Sequence, residues 1–356
     1  MKGLVLAGGR GTRLRPLTYS RAKQLIPVAN RPILDYVIED LAAAGIQDIG
    51  MVVGDTAQEV QSALGDGSRF GVHLTYVYQE QPLGLAHAVK IARDFLGSDP
   101  FLMYLGDNLL QGGITDFVRE FQRRQPDALI LLTRVPNPQE YGVAVLVNHQ
   151  VVKLVEKPRE PPSDLALVGI YLFNAEVHQV IDTLQPSARG ELEITEAIQG
   201  LVDRGRTVRP CLVQGWWKDT GRAEDVLDAN RLVLSKLQQG RVAGLVDETS
   251  ALLGHVVIEE GAQVTRSEIR GPAIIGKRAR IIDSYVGPYT AIGEDVLVQR
   301  TEIEFSVVLG GTRLCDLPAR LDRCLVGRDV EITGTNHLAR GRTCQIVVGD
   351  SSRVRI

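Results

Sequence analysis

The sequence predicts an α/β domain with a mostly parallel sheet, followed by a parallel β-helix. Over the first ~135 residues, short apolar segments alternate with segments that are apolar at helical spacing, which is typical of strands and covering helices. After about residue 240, a short motif recurs every 17 residues instead. The 356 residues are enough for about two domains, which we predict at 1–237 and 241–356.

The first domain begins with an apolar segment that is typical of a buried strand, at residues 2–6. Further strands are predicted at 49–53, 74–78, 101–105, 129–132, 142–147, 151–155 and 168–173, and helices at 33–41, 193–204 and 223–237. Ligands of parallel sheets bind outside the carboxyl ends of the strands. Residues 8–13 and Asp107 both follow such strands, so we expect them to share one cleft.

The second domain is predicted from its repeat. The motif starts at Ile258, Ile275 and Ile292, and again two steps later at Val326. Aliphatic residues recur at the seventh and twelfth places of each coil, at Val264, Ile269, Ile281, Val286, Val298 and Ile303. A coil of this kind cannot bury its apolar face alone, so successive coils must stack.

Composition excludes several classes of function. The net charge is −3 and the pI is about 6.1, so no global field favours nucleic acid or an anionic membrane. No apolar segment approaches the ~20 residues of a membrane span, and the N-terminus does not read as a signal peptide. The 4 cysteines show no metal-type spacing, which favours a reduced, cytoplasmic setting.

A glycine-rich loop follows the first strand and predicts a phosphate site. Gly8, Gly9 and Gly11 can turn backbone N–H groups toward an anion, and Arg13 adds a guanidinium that suits phosphate. The loop lacks the Gly-Lys-Ser/Thr of a Walker loop and the third glycine of the dinucleotide fingerprint. A plain glycine turn between strand and helix is the alternative.

The segment L-A-G-G-R-G-T-R-L resembles the signature loop of the sugar nucleotidyltransferases. Further segments resemble motifs of that family, namely K-Q-L-I-P-V, Q-E-Q-P-L-G-L-A, G-D-N, E-K-P, G-E-L-E-I-T and W-K-D-T-G. The C-terminal repeat resembles the left-handed β-helix of long-form members. The resemblance therefore implies a Rossmann-like domain with a mixed sheet, followed by a left-handed parallel β-helix.

The resemblance also implies site residues. Arg13, Lys23, Asp107 and Asp219 are the expected catalytic residues, with the two aspartates as Mg²⁺ ligands. The expected nucleotide-binding residues are Leu6, Gly8, Gly9, Gly11, Thr12, Gln24, Gln79 and Gly84. The expected sugar-phosphate-binding residues are Tyr141, Gly142, Glu156, Lys157, Gly169 and Tyr171. Without the resemblance, Lys23 reads as a surface charge, Asp107 as a turn residue, and Glu156 with Lys157 as a surface ion pair.

Long-form members of this family imply transfer of a thymidylyl group from dTTP to glucose 1-phosphate, in a homo-oligomer. The alternatives are a uridylyltransferase for glucose 1-phosphate or N-acetylglucosamine 1-phosphate, and a non-catalytic regulatory subunit. Added acetyl transfer on the β-helix would need His255 or His337 as a base. Two departures from the family pattern are Ala22 before Lys23, and Leu83 where many thymidylyltransferases have aspartate.

Overall fold

The computed structural model describes residues 1–334 and 343–356. Contacts divide these residues into two units, and the chain passes between them more than once. The first unit comprises Met1–Arg10 and Ile33–Asp219, and the second comprises Gly11–Pro32 and Thr220–Ile356. Of the two β-helix histidines, His255 is exposed, and His337 lies outside the described residues. No helix in the described ranges is long and apolar enough to cross a membrane.

The first unit is built on a mixed sheet that has nine strands within the described residues. The strands of this unit are β1 (Lys2–Leu6), β2 (Asp48–Val53), β3 (His73–Tyr78), β4 (Phe101–Leu105), β5 (Asn108–Leu110), β6 (Ala128–Arg134), β7 (Gly142–Val147), β8 (Gln150–Glu156), β9 (Leu165–Phe173), β10 (Val208–Leu212) and β11 (Trp217–Asp219). The spatial order of the sheet is β8-β7-β9-β4-β1-β2-β3, with β6 paired to β9 and β10. Strands β5 and β11 pair separately with each other.

Helices pack on this sheet through their apolar positions. They are α1 (Ile33–Ala43), α2 (Ala57–Leu64), α3 (Leu85–Ile91), α4 (Arg93–Leu96), α5 (Thr115–Arg124), α6 (Glu176–Ile181) and α7 (Ile194–Asp203). In α1, Leu34, Val37, Ile38 and Leu41 are fully buried, and Gly45 follows the helix with a positive φ of 78°. The predicted helix, its end and its buried face are therefore confirmed.

The carboxyl ends of the parallel strands lie at one edge of the sheet. Leu6 at the end of β1 pairs with Val52 of β2 and with Leu105 of β4. The backbone N–H of Gly106 donates to the Leu6 carbonyl at 2.9 Å, which fixes the turn after β4 beside the turn after β1. Residues 8–10 and Asp107 consequently leave the sheet at the same edge, as the sequence predicts.

The second unit contains a β-helix of stacked coils, each supplying strands to three parallel sheets in the described residues. One sheet consists of Arg241–Val242, Val256–Ile258, Ala273–Ile275, Thr290–Ile292, Val307–Val308, Leu325–Val326 and Val347–Val348. The next consists of Leu245–Val246, Gln263–Thr265, Arg280–Ile282, Leu297–Gln299, Arg313–Cys315, Glu331–Thr333 and Arg353–Arg355. The third consists of Ala251–Leu253, Glu268–Arg270, Tyr285–Val286, Glu302–Glu304, Arg320–Asp322 and Thr343–Cys344.

The aliphatic residues of the repeat fill the interior of the β-helix. The side chains predicted at the seventh and twelfth places of the coils are at most 1% exposed and form one core; they are Val264, Ile269, Ile281, Val286, Val298 and Ile303. The predicted fold class, a Rossmann-like mixed sheet followed by a left-handed parallel β-helix, is confirmed.

One corner of the β-helix carries charges of alternating sign in successive coils. This charge ladder consists of Asp247, Arg266, Asp283, Arg300 and Asp316. The Arg266 Nε donates to Asp283 Oδ1 at 2.6 Å, and an Arg300 nitrogen donates to Asp316 at 3.0 Å. Hydroxyl groups of neighbouring coils accept backbone N–H groups beside the ladder, for example Ser267 Oγ from Ser284 at 3.0 Å. These contacts stabilise one stacking register.

The segment Gly11–Pro32 is held within the second unit by polar contacts. Ser20 Oγ and an Arg21 nitrogen donate to Asp350 Oδ2 at 3.0 and 3.3 Å, and the Arg328 backbone N–H donates to Asp350 Oδ1 at 2.8 Å. The Asn30 side chain donates to the Ile292 carbonyl at 2.7 Å. The helix α8 (Ala223–Leu234) adds Asn230, whose Oδ1 accepts the backbone N–H of Ala29 at 2.8 Å. The division into domains at 1–237 and 241–356, which is based on the sequence pattern, stays a prediction.

Candidate active site

The glycine loop and Gln79 meet at the carboxyl edge of the sheet. A Cβ on Gly8 would lie 3.5 Å from Gln79 Oε1 and 3.5 Å from the backbone nitrogen of Gly54, so the loop lies directly against the turns after β2 and β3. The Gln79 backbone N–H donates to the Val53 carbonyl at 2.8 Å, which continues the sheet by one residue. Gly8, Gly9 and Gln79 therefore line the same edge, as expected for a nucleotide site.

Gly84 is required for a reason that the sequence did not reveal. Its φ is +106°, and a Cβ there would collide with the backbone of Leu192. The Leu192 N–H donates to the Leu83 carbonyl at 2.7 Å, and its carbonyl accepts the Ala86 N–H at 3.0 Å. At Gly84 the close backbone approach that glycine allows is therefore made by the chain itself, where the turn before α3 joins the G-E-L-E-I-T segment.

The two predicted metal ligands occupy neighbouring backbone positions. Strand β11 pairs with β5 so that Asp219 is opposite Asn108, the residue after Asp107. Residues directly opposite in an antiparallel pair have Cα atoms about 4.5–5.5 Å apart. Asp107 is 7% exposed, and its Oδ1 accepts a hydrogen bond from Asn108 Nδ2 at 3.0 Å. The donor set of two carboxylates suits a hard divalent cation that takes its other ligands from phosphates and water.

Four of the predicted sugar-phosphate residues, Tyr141, Gly142, Glu156 and Lys157, lie together where β7 begins and β8 ends. Glu156 pairs with Gly142, and the Lys157 backbone N–H donates to the Tyr141 carbonyl at 3.0 Å. A Cβ on Gly142 would lie 3.0 Å from Glu156 Oε2, so this glycine gives room to the carboxylate. The Lys157 ammonium is 3.9 Å from Glu156 Oε1 and remains 44% exposed, which leaves it accessible to an anion.

Glu156 is a buried carboxylate in mixed electrostatic surroundings. Burial, together with the nearby negative charge of Glu193, raises the pKa of Glu156. Lys157, a hydrogen bond of 3.1 Å from Thr195 Oγ1, and Arg189 lower the pKa but do not cancel the rise. The side chain is therefore kept as a hydrogen-bonding group at some cost to stability.

Gly169 and Tyr171 belong to the neighbouring strand β9 and contribute differently. Gly169 has a φ of +79°, and a Cβ there would meet Leu105 and the side chain of Asn108. Tyr171 is 3% exposed and stacks on Phe173 at a centroid distance of 6.1 Å, so its ring belongs to the core. Burial and the charge of Glu156 raise the pKa of Tyr171, which keeps its hydroxyl neutral.

The remaining predicted site residues lie in the second unit. Gly11 has a φ of +61°, and a Cβ there would lie 2.9 Å from Lys23 Cβ, so Gly11 and Lys23 are packed together. Short 3₁₀ turns at Thr12–Leu14 and Lys23–Leu25 hold Thr12, Arg13 and Lys23. Gln24 is 1% exposed, and its Oε1 accepts no hydrogen bond from the residues that the structure describes.

Comparison with known proteins identifies the family. The family model for nucleotidyl transferases matches residues 2–236. Glucose-1-phosphate thymidylyltransferase of Streptomyces griseus is 52% identical over 100% of this chain and 99% of its own. The low-salt glycan biosynthesis nucleotidyltransferase Agl11 of Haloferax volcanii is 44% identical over 100% of both chains.

This chain belongs to the nucleotidyl transferase family. A crystal structure of a Bacillus anthracis protein in complex with sucrose supports the same fold, with a TM-score of 0.63 and 38% identity. The alignment covers 68% of this nucleotidyl transferase and 98% of the bacterial chain.

Three residues of this nucleotidyl transferase extend the site beyond the sequence prediction, namely Trp217, Arg189 and Thr195. Trp217 contacts the Tyr141 ring edge-on at 5.4 Å, and its Nε1 donates to Asn108 Oδ1 at 2.6 Å, which connects Tyr141 to the residue after Asp107. An Arg189 nitrogen donates to Glu156 at 3.3 Å and to Glu193 at 3.2 Å. Thr195 completes the set. The G-E-L-E-I-T and W-K-D-T-G motifs marked their neighbourhoods, but spacing alone does not indicate these contacts.

Proposed function

We propose that this nucleotidyl transferase transfers a thymidylyl group from dTTP to glucose 1-phosphate, giving dTDP-glucose and pyrophosphate. The observation that supports the reaction type is the pairing of Asp219 opposite Asn108, which puts the backbone of Asp219 next to that of Asp107, where the chain leaves the carboxyl edge of the sheet. The choice of substrates is supported by the 52% identity, over the full chain, with the Streptomyces griseus glucose-1-phosphate thymidylyltransferase.

The residues of the chain act by positioning and by neutralising charge. A phosphate oxygen of glucose 1-phosphate attacks the α-phosphorus of dTTP in line, the new P–O bond forms, and the α–β bridging bond breaks to release pyrophosphate. Arg13 and Lys23 bind the triphosphate and stabilise the leaving group. Lys157 binds the sugar phosphate, and Glu156 accepts hydrogen bonds from sugar hydroxyls. No side-chain nucleophile is needed, because the sugar phosphate is itself an anionic nucleophile.

Magnesium is part of the proposal, and Asp107 and Asp219 would hold it. When bound, the ion would neutralise charge on the triphosphate and on the departing pyrophosphate. No group of three or more metal-type side chains occurs in the described ranges, so substrate oxygens are expected to complete the coordination.

A cytoplasmic homo-oligomer completes the proposal. All four cysteines lie within the described residues and are free thiols, which supports a reducing compartment. The stacked sheets of the β-helix offer regular faces on which copies could assemble.

The test is a matrix of dTTP, UTP, CTP, ATP and GTP against glucose 1-phosphate and N-acetylglucosamine 1-phosphate, following pyrophosphate. We expect the highest kcat/KM for dTTP with glucose 1-phosphate. A preference for UTP would establish the uridylyltransferase instead, since one methyl group is worth only ~1–3 kcal/mol. No turnover of any pair would support the regulatory subunit.

Asp219→Asn should lower kcat by about 100-fold or more, because a charge that balances the transition state is lost. The matched control is Asp116→Asn, whose carboxylate is 92% exposed on α5. Equal activity of the two variants would contradict the role of the aspartate pair.

A further inference from the structure

A histidine outside the predicted site contacts the residue proposed to bind the nucleobase. Gln79 Nε2 lies 2.9 Å from His87 Nδ1, on the first full turn of α3. The other end of the same amide, Oε1, is the atom that faces Gly8 in the glycine loop. The amide nitrogen of Gln79 therefore contacts His87, and its amide oxygen faces the glycine loop.

In the structure, the contact with His87 leaves the amide oxygen as the end that faces the glycine loop. A neutral imidazole has one nitrogen that donates and one that accepts. Burial, with a smaller contribution from Lys90 on the same helix, lowers the pKa of His87, so the neutral ring is favoured. With the amide nitrogen against the ring, Nδ1 accepts this hydrogen bond in the neutral tautomer that carries its proton on Nε2, and the amide oxygen then lies toward the glycine loop.

We infer that His87 is a specificity-determining positioning residue, which orients the Gln79 amide so that its oxygen accepts the imide N–H of thymine. This inference rests on the proposed function, in which Gln79 binds the base. Thymine and uracil present an N3–H donor between two carbonyl oxygens, whereas cytosine presents an unprotonated N3 acceptor beside an amino group. An amide oxygen held in this orientation attracts the imide edge and repels the N3 lone pair of cytosine. An amide that could rotate would lose this discrimination.

The test compares His87→Phe, which keeps a planar ring but removes the acceptor, with His87→Asn, whose side-chain oxygen can replace Nδ1. The KM for dTTP and the inhibition constant of dCTP are measured with glucose 1-phosphate as cosubstrate. The control is His73→Phe, at the exposed start of the strand that leads to Gln79. Melting temperatures of all variants are recorded.

We expect His87→Phe to raise the KM for dTTP about tenfold, the value of one lost hydrogen bond, with kcat changed less than about twofold. The inhibition constant of dCTP should stay the same or fall, and His87→Asn and His73→Phe should resemble the wild type. A loss of kcat alone, an equal loss of affinity for both nucleotides, or identical behaviour of the Phe and Asn variants would overturn the inference.

A further variant separates this inference from the function on which it rests. Gln79→Ala should raise the KM for dTTP at least as much as His87→Phe does. If Gln79→Ala has no effect while the wild type still releases pyrophosphate from dTTP, the base site is wrong and the reaction stands. If Gln79→Ala weakens dTTP binding and His87→Phe does not, only the positioning role of His87 fails.

Discussion

The buried carboxylate of Glu156 lowers the stability of the fold when it is ionised, although it is proposed to bind the sugar. Its pKa is raised, first by burial and then by Glu193, so the folded protein holds a proton at this position more tightly than the unfolded chain does. Stability from this group is therefore greatest at low pH and is lost as the pH rises through the folded-state pKa. At neutral pH the ionised form costs stability, which is consistent with a side chain retained for its hydrogen bonds to a ligand.

Glu156→Gln should accordingly raise the melting temperature at pH values above the raised pKa of Glu156, and the gain should shrink as the pH falls and the wild-type carboxyl becomes protonated. Activity should fall, because the amide accepts hydrogen bonds from sugar hydroxyls less strongly than the carboxylate. Melting curves and KM for glucose 1-phosphate, measured across pH, check both effects. Glu160→Gln, on the exposed loop after β8, is the control and should change neither. A pH-independent shift in melting temperature would contradict the argument.

Individual residues of the site differ in how far the sequence predicted them. Glu156 and Lys157 could be predicted because they form one contiguous motif at a strand end. Arg189 could not be, since its contacts with Glu156 and Glu193 arise only when the loop before α7 folds back over the β7–β8 hairpin. Tyr171 matched a motif, but β9 is buried along its whole length, so the Tyr171 ring lies in the core.

At the scale of elements, the turn before α3 is set by its contact with the segment before α7. Gly84→Ala should lower stability by about 1–3 kcal/mol, because the residue has a positive φ and its Cβ collides with the Leu192 backbone. The KM for dTTP should rise, since the turn also positions Gln79 and His87. Denaturant unfolding and steady-state kinetics check the two effects.

The matched control is Gly97→Ala, after α4, which has a φ of +62° but no atom within 4 Å of its Cβ. It should lower stability by about 1–3 kcal/mol through the backbone conformation alone and should leave KM unchanged. An equal effect of both variants on KM would show that the contact with Leu192 does not position the turn.

Strands and coils with a regular pattern of apolar residues were predicted well from the sequence. The contacts between elements that are distant in the sequence were not. The strands predicted at 101–105 and 142–147 coincide with β4 and β7, since apolar runs bounded by turn residues mark both ends. The β-helix followed from its 17-residue step. The association of Gly11–Pro32 with the last coils has no such signal, because residues 329 positions apart, such as Arg21 and Asp350, share no local pattern.

At the scale of the whole molecule, Asp350 connects the last coils of the β-helix to the segment that carries Arg13 and Lys23. The Arg21 and Asp350 side chains are 12% and 14% exposed, so this ion pair is largely shielded from water. Asp350→Asn should lower kcat/KM for dTTP about tenfold through the weakened anchor, since hydrogen bonds to charged groups contribute about 1.5–3 kcal/mol. Steady-state kinetics at fixed glucose 1-phosphate measure the effect.

The control for this prediction is Asp295→Asn, which removes an exposed ion pair with Arg278 elsewhere on the β-helix. Pairs of this kind contribute about 0–1 kcal/mol, so its kinetics should match the wild type. If Asp350→Asn also behaves like the wild type, the last coils do not position the segment Gly11–Pro32.

The charge ladder on the β-helix corner has a consequence for how the solenoid assembles. A nascent chain that skipped one turn while stacking would bring Arg266 against Arg300 and Asp283 against Asp316. Each such mismatch juxtaposes like charges in place of the paired ones. Hydrophobic packing does not discriminate against such a skipped coil, since every coil contributes similar aliphatic side chains to the interior. The alternating charges therefore destabilise a β-helix in which one coil has been skipped, although its hydrophobic core would be about as well packed.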